Sequence, residues 1–287
     1  MSARIYAMDT TFYHSLGAYE FDVRCEMLSE LGYDATYLTL WREGPWHEAA
    51  LRDVSRLADV RARHGLDVAA IYVTLDNAAE AGDPGNRLVA DLIRTIEGCT
   101  TIEISIRSSD PALTLSDPCG DGPTRRLLEQ LLRLAEPRGI TLALYPHIRF
   151  WLERIEDTVR LCRAIDHPLL RTMFCGYHWY ARGGGDLPAQ LAEAAPYLHA
   201  ANLCGSRRVE SPWHGLPATI EPLDDGELDN FAVLGMLRQS GFTGNLGLQG
   251  YATGGDVYAK LRRSLAALRD IEHRLDEHPG WARLRWA

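Results

Sequence analysis

The sequence predicts an α/β fold, a single (β/α)8 TIM barrel over residues 1–287, and three observations carry that prediction. Short β-rich runs alternate with longer amphipathic segments, eight times from end to end. Glycines stand repeatedly where an amphipathic segment hands over to the next strand, as expected of helix C-caps. No GxGxxG comes after the first strand, where "AMDTTFYHS" stands instead, which disfavours an open dinucleotide-binding sheet.

In chain order, "RIYAMDT" is the first strand, leading to a helix around 19–31 that Gly32 closes. "ATYLTLW" and a helix around 46–64 come next, ending at Gly65, and then "DVAAIYVTL" with a helix around 86–98. "TIEISIRS" precedes a helix around 124–137 and Gly139, and "ITLALYPH" precedes one around 154–165. "LLRTMFC" leads to a helix around 186–195, for which Asp186 is the N-cap. "LHAANLC" precedes a helix around 228–240 and Gly241; "NLGLQGY" precedes the last helix, 256–274, capped by Asp256.

Barrels of this kind commonly reach 287 residues as one domain. A net charge of −9 argues against nucleic acid as a partner, because phosphate binding needs clustered Lys and Arg. Six scattered cysteines without a CxxC pair indicate reduced thiols. The N-terminus has no secretory-leader pattern, and no apolar run approaches the roughly 20 residues that span a bilayer. The expectation is a cytoplasmic protein with neither nucleic acid nor membrane as partner.

In a barrel, chemistry sits at the C-terminal strand ends. Those ends present Asp9 and Thr10, Trp41, Asp76, Arg107, Tyr145 and His147, Cys175 with His178 three residues on, Asn202 and Cys204, and Gln249 and Tyr251. Amides, imidazoles and aromatic faces around one opening suit a polyhydroxylated ligand. His147 and His178 stand out as candidate catalysts because both fall in strand-end loops. Cys175 reads equally as a buried small residue or a functional thiol.

The stretches "LALYPHIRFWLERIEDTVRLCRAIDHPLLRTMFCGYHW", "YLHAANLCGSRR" and "PLDDGELDNFAVLGMLRQSGFTGNLGLQGY" resemble the xylose isomerase-like barrel superfamily of sugar phosphate isomerases and epimerases. The resemblance implies one divalent metal held by a Glu, the Asp of D-x-x-H, a His and a Glu at strands five to eight. Those positions carry Tyr145, Cys175, Asn202 and Gln249 here, while His147, His178 and Arg208 match surrounding family positions. A hard divalent cation finds little in that neutral set, so no metal and no cofactor are expected. A rearranged zinc or iron site on Cys175, His147 and His178 is the alternative.

The resemblance and the retained histidines together imply an isomerase- or epimerase-like enzyme. It would remove a proton beside the carbonyl of a sugar, polyol or related hydroxy-ketone. His147, His178 and Tyr145 are the expected catalytic groups; Asn202, Arg208, Gln249, Tyr251, Cys175, Trp41 and Asp9 are the expected substrate contacts. An inactive barrel binding a carbohydrate-like ligand or a partner, or a lyase or hydrolase using Cys175, are the competing readings. The resemblance leaves a homodimer open.

Overall fold

The structure, a computed structural model, describes residues 3–284 apart from 15, 45, 214, 252 and 253; for His14 and residues 210–213 it describes the backbone alone. Eight parallel strands close into a barrel: β1 Ile5–Ala7, β2 Ala35–Thr39, β3 Asp67–Asp76, β4 Thr101–Arg107, β5 Thr141–Leu144, β6 Leu170–Cys175, β7 Leu198–Leu203 and β8 Asn245–Leu248. Each strand pairs with its chain neighbours, and β1 joins β8 through Ala7 and Leu248 and β2 through Tyr6 and Ala35.

The helices are α1 Phe21–Leu31, α2 His47–Val54, α3 Val60–His64, α4 Pro84–Thr95, α5 Asp121–Ala135, α6 Ile155–Ile165, α7 Gly176–Ala181, α8 Leu187–Ala194, α9 Asn230–Gln239 and α10 Val257–Glu277. Two differ from expectation. The segment 46–64 is interrupted by a 3-10 turn at Leu57–Asp59. The loop expected to carry His178 is instead the short helix α7, which starts directly from Cys175 at the end of β6. Elsewhere the end signals act as expected. Gly32 and Gly65 take left-handed φ values of 83° and 71°, and Asp186 and Asp256 accept from the backbone N–H groups of Ala189 and Ala259.

Strand alternation sorts the core into two layers. Outward-facing aliphatic residues, such as Ile71, Val73 and Leu75 on β3 and Ile102, Ile104 and Ile106 on β4, pack against the helices. The inner layer is unusual for a barrel, where branched aliphatic residues usually dominate. It holds Tyr6, Tyr37, Tyr72, Tyr145, Met173 and Cys175, with Glu103 and Asn202 buried among them. The Tyr37 hydroxyl donates to Glu103 at 2.6 Å, and the Tyr6 hydroxyl donates to Asn202 Oδ1 at 2.6 Å. Burial pushes the Glu103 carboxyl up to about 7, against the pull of the tyrosine hydroxyls.

A second buried polar cluster ties β1 to α1 and α2. Arg24 donates to Asp53 at 2.5 Å and faces Asp9 at 3.4 Å, with all three side chains largely withdrawn from solvent. Removing one member of such a set leaves charge stranded in the interior. Arg24→Met is therefore expected to lower unfolding stability by about 3–5 kcal/mol, read as a drop in the guanidinium midpoint; a change within experimental error would show that Asp9 and Asp53 are satisfied without Arg24.

Candidate active site

The C-terminal strand ends open into one cavity of about 330 Å³, at the small end of the roughly 300–1,000 Å³ typical of ligand pockets. Buried Tyr72, Tyr145 and His178 line it together with the half-buried His147, Gln249, Trp41, Arg42, Arg107, Phe150 and Tyr251. Tyr177, Leu216 and Ile220 add an apolar side.

Two imidazoles dominate the cavity, their ring centroids 4.0 Å apart. A tight turn succeeds β5, in which the Phe150 N–H donates to the His147 carbonyl at 3.0 Å and Arg149 takes a left-handed φ of 67°. That turn lays Phe150 on the His147 ring at 4.1 Å and brings the Ile148 backbone to the Nδ1 atoms of both histidines. The Ile148 carbonyl accepts from His147 Nδ1 at 2.8 Å, and the Ile148 N–H donates to His178 Nδ1 at 3.3 Å.

A carbonyl only accepts and a backbone N–H only donates, so these bonds assign the neutral tautomers. His147 carries its proton on Nδ1 and keeps a bare Nε2; His178 keeps Nδ1 bare and carries its proton on Nε2. Tyr145 and Tyr177 meet the His178 ring edge-on at 5.5 and 5.0 Å. Burial pushes His147 down to about 4 despite the Ile148 carbonyl. Burial, reinforced by repulsion from His147, holds His178 well below its ordinary value.

Beside them runs a hydrogen-bonded chain. The Tyr145 hydroxyl donates to Cys175 Sγ at 3.4 Å, and the thiol donates to Gln249 Oε1 at 3.1 Å. Burial pushes the Cys175 thiol up to about 12 and lifts Tyr145 well above the usual phenol range. The chain ends by occupying the amide oxygen of Gln249, which leaves the amide N–H2 as the end of that side chain able to donate to a ligand.

Six of the expected site residues thus line one cavity: Tyr145, His147, His178, Gln249, Tyr251 and Trp41. Four do not. The Asp9 carboxylate is taken up by the Thr39 N–H at 2.9 Å, the Thr39 hydroxyl at 2.6 Å, the Tyr13 hydroxyl at 3.1 Å and Arg24. Its neighbour Thr10 reaches the cavity wall instead. Asn202 is fully buried beneath the site, pressed against Gly247, where an added Cβ would meet its Oδ1 at 1.9 Å. Cys175 lies behind the lining, between Tyr145 and Gln249. Arg208 lies outside it, its guanidinium 5.2 Å above the Tyr180 ring and donating to the Tyr180 carbonyl at 3.1 Å. Tyr145 also departs from its expected donor role, because its proton points at sulfur.

Several lining residues are not among those the sequence singles out. Tyr72 and Thr74 are legible in principle, since the alternation in "AIYVTLD" sets them opposite Ile71, Val73 and Leu75. Arg42, Phe150 and Tyr177 belong to loops and to α7, which carry no period to read.

The divalent metal implied by the family resemblance does not fit these side chains. Tyr145, Cys175 and Gln249 satisfy one another as neutral groups, and Asn202 Oδ1 accepts from Tyr6. Among the described residues no three His, Cys, Asp or Glu side chains converge as a metal-binding group. The arrangement of Cys175 with both histidines fails likewise, because the thiol faces Gln249 and His178 Nδ1 is occupied by Ile148.

This electrostatic arrangement has two measurable outcomes. His147 binds protons more weakly folded than unfolded, where its value is near 6.5. Its contribution to stability is therefore complete above about pH 6.5 and is lost as pH falls toward about 4. Glu103, raised to about 7, works in the opposite sense over an overlapping range, so the measurement is the difference between wild type and His147→Gln in urea midpoints from pH 4 to 8. A pH-independent difference would contradict the buried, neutral imidazole. Second, native protein treated with iodoacetamide at pH 7.5 is expected to take its first adduct at exposed Cys119 and to leave Cys175 unmodified. Rapid labelling of Cys175, seen by peptide mass spectrometry, would contradict the high thiol pKa.

Among curated proteins none matches the chain. Solved structures match it closely in shape at low identity, which concerns the fold. An L-ribulose 3-epimerase is 15% identical with a TM-score of 0.75, covering 99% of each chain. The IolI protein, solved with a bound zinc atom, is 14% identical with a TM-score of 0.74, over 93% of this chain and 97% of that one. The 3-keto-D-glucoside 4-epimerase YcjR from E. coli is 15% identical with a TM-score of 0.68, over 93% and 99%. The family model described as xylose isomerase-like TIM barrel matches residues 25–271, most of the length and every strand from β2 to β8, and the chain belongs to that family.

Proposed function

We propose that this cavity removes a proton beside the carbonyl of a small sugar- or polyol-derived hydroxy-ketone, and that it does so without a divalent metal. The observation carrying this reading is the pair of opposite tautomers that the Ile148 backbone sets on adjacent imidazoles. His147 Nε2 offers the lone pair of a general base, and His178 Nε2–H offers a donor to the oxygen on which negative charge grows. The Gln249 amide N–H2 is a second donor at the same oxygen. These neutral donors take the place that a cation holds in a metal-dependent enolisation.

A base near 4 stays in its proton-free form throughout the neutral range, yet pulls weakly. The barrier then rests more on the donors at the enolate oxygen, and the enolate in turn offsets the imidazolium that forms beside it. Returning the proton to the neighbouring carbon, with the hydroxyl proton passing to the enolate oxygen, gives isomerisation. Delivery of a solvent proton to the opposite face gives epimerisation; loss of a β-hydroxyl as water, protonated by the His147 imidazolium, gives elimination. The names of two structural neighbours, an L-ribulose 3-epimerase and a 3-keto-D-glucoside 4-epimerase, agree with a sugar-directed epimerase.

The test is solvent deuterium uptake at the carbons beside the carbonyl, monitored by NMR over a panel of ketoses and keto-acids. His147→Gln should slow exchange by about a hundredfold or more as loss of a general base. His178→Gln should cost a comparable factor as loss of an oxyanion donor. The acid limb of the wild-type profile should fall near pH 4, with no break at 6.5. Binding without exchange, or near-wild-type rates in both variants, would favour a ligand-binding barrel that performs no chemistry.

A further inference from the structure

The cavity carries two guanidinium groups that the catalytic reading does not use. Arg42 stands three residues beyond the end of β2, and Arg107 is the last residue of β4; both line the same cavity as the histidine pair. Arg42 forms no ion pair with any described residue, and its Nη1 is buried without a hydrogen-bond acceptor. Its guanidinium lies against Gly85, near the start of α4, where an added Cβ would stand 2.3 Å from Cζ.

Arg107 is only partly offset. Its Nε stands 3.6 Å from Asp76 Oδ2 and lacks an acceptor, while Asp76 Oδ1 accepts from Ala78 N, Ser109 N and Ser109 Oγ. Glu43 approaches to 4.0 Å but its side chain is 84% exposed, so solvent screens it. Buried guanidinium N–H groups without acceptors are rare in folded proteins, and since both arginines also line the cavity, a ligand oxygen there would supply an acceptor to their remaining N–H groups. A charged oxygen does so about twice as strongly as a hydroxyl.

We propose that Arg42 and Arg107 form an anion subsite in this cavity, and that the substrate is a hydroxy-ketone bearing a carboxylate. The charge balance favours a monoanion over a dianion: Asp76 partly offsets Arg107, and Glu43, which lines the same cavity, adds a solvent-exposed negative charge, while Arg42 has no ion pair among the described residues. Both arginines and both histidines line one cavity of about 330 Å³, so a single small molecule in it would place its carbonyl at His147 and His178 and its carboxylate at the arginines. The identity of the carbonyl end rests on the proposed function above; the anion subsite stands on the arginines alone.

Isothermal titration calorimetry of the full chain tests this with a neutral ketohexose, the matching ketohexuronate, a ketohexose phosphate, malonate and inorganic phosphate. The ketohexuronate is expected to bind about tenfold or more tighter than the ketohexose in wild type. Arg42→Met should abolish that gap and leave the neutral ketose within about twofold. Gly85→Ala keeps the arginine but forces its guanidinium aside, so it should narrow the gap without touching the histidines. His147→Gln should retain the gap. Equal affinity for neutral and anionic ketoses overturns the proposal, as does a gap that survives Arg42→Met or the absence of saturable millimolar binding by every anion. A ketose phosphate preferred over the ketohexuronate overturns the carboxylate assignment. Absence of deuterium exchange together with a retained gap would remove the catalytic reading and leave the subsite in place.

Discussion

A polar group buried inside a closed barrel is costly unless it is hydrogen-bonded. Here the inner layer is built from tyrosines rather than branched aliphatics, and that single constraint shapes everything above it. Tyr37 bonds Glu103, Tyr6 bonds Asn202, Tyr72 bonds Ser105 at 2.5 Å, and Tyr145 bonds Cys175, which bonds Gln249. Each of these hydroxyls has a partner inside the layer. Among the positions that carry metal ligands in the family resemblance, Tyr145, Cys175 and Gln249 bond one another and Asn202 Oδ1 is taken by Tyr6, while Asn202 Nδ2 is buried without a described partner. The groups that the proposed chemistry uses lie beside these bonds: the two imidazoles, the amide N–H2 of Gln249 and the arginines.

The loop after β5 converts this frame into a directional site. Arg149 is held in a left-handed conformation that costs a non-glycine residue of order 1 kcal/mol. The turn so formed presents the N–H and the carbonyl of Ile148 to two different rings. Without the Ile148 backbone bonding both rings, two neutral imidazoles at 4.0 Å would be free to exchange tautomers. Side-chain identity supplies the histidines; backbone geometry tells them apart.

Much of the barrel is legible in the sequence. Every strand candidate overlaps an observed strand, and the glycine and aspartate end signals at Gly32, Gly65, Asp186 and Asp256 mark real helix ends. Strand-end position is a good guide to Tyr145, His147 and Gln249 but a poor one to Asp9 and Asn202. Both are polar residues at or near a strand's C-terminal end, and only their partners, Arg24 for Asp9 and Tyr6 for Asn202, reveal that they are enclosed. Arg42 is hidden from sequence reading because a loop residue's direction depends on what it packs against, here the bare face of Gly85. The helix at Gly176–Ala181 is equally hidden, because six residues are too few to show a period.

The packing between β7 and β8 also limits where this chain can go by mutation. Asn202 touches Gly247 and accepts from Tyr6, so an imidazole at position 202 has no volume to occupy. A carboxylate in place of Gln249 would lose the acceptor–donor match with the Cys175 thiol only in part, but its partial burial would raise its pKa. Each single step toward a charged donor set is thus unfavourable alone and becomes tolerable only with several others, a strongly non-additive situation. The inner tyrosine layer therefore isolates the neutral site: on the mutational landscape it is a basin whose exits require concerted change.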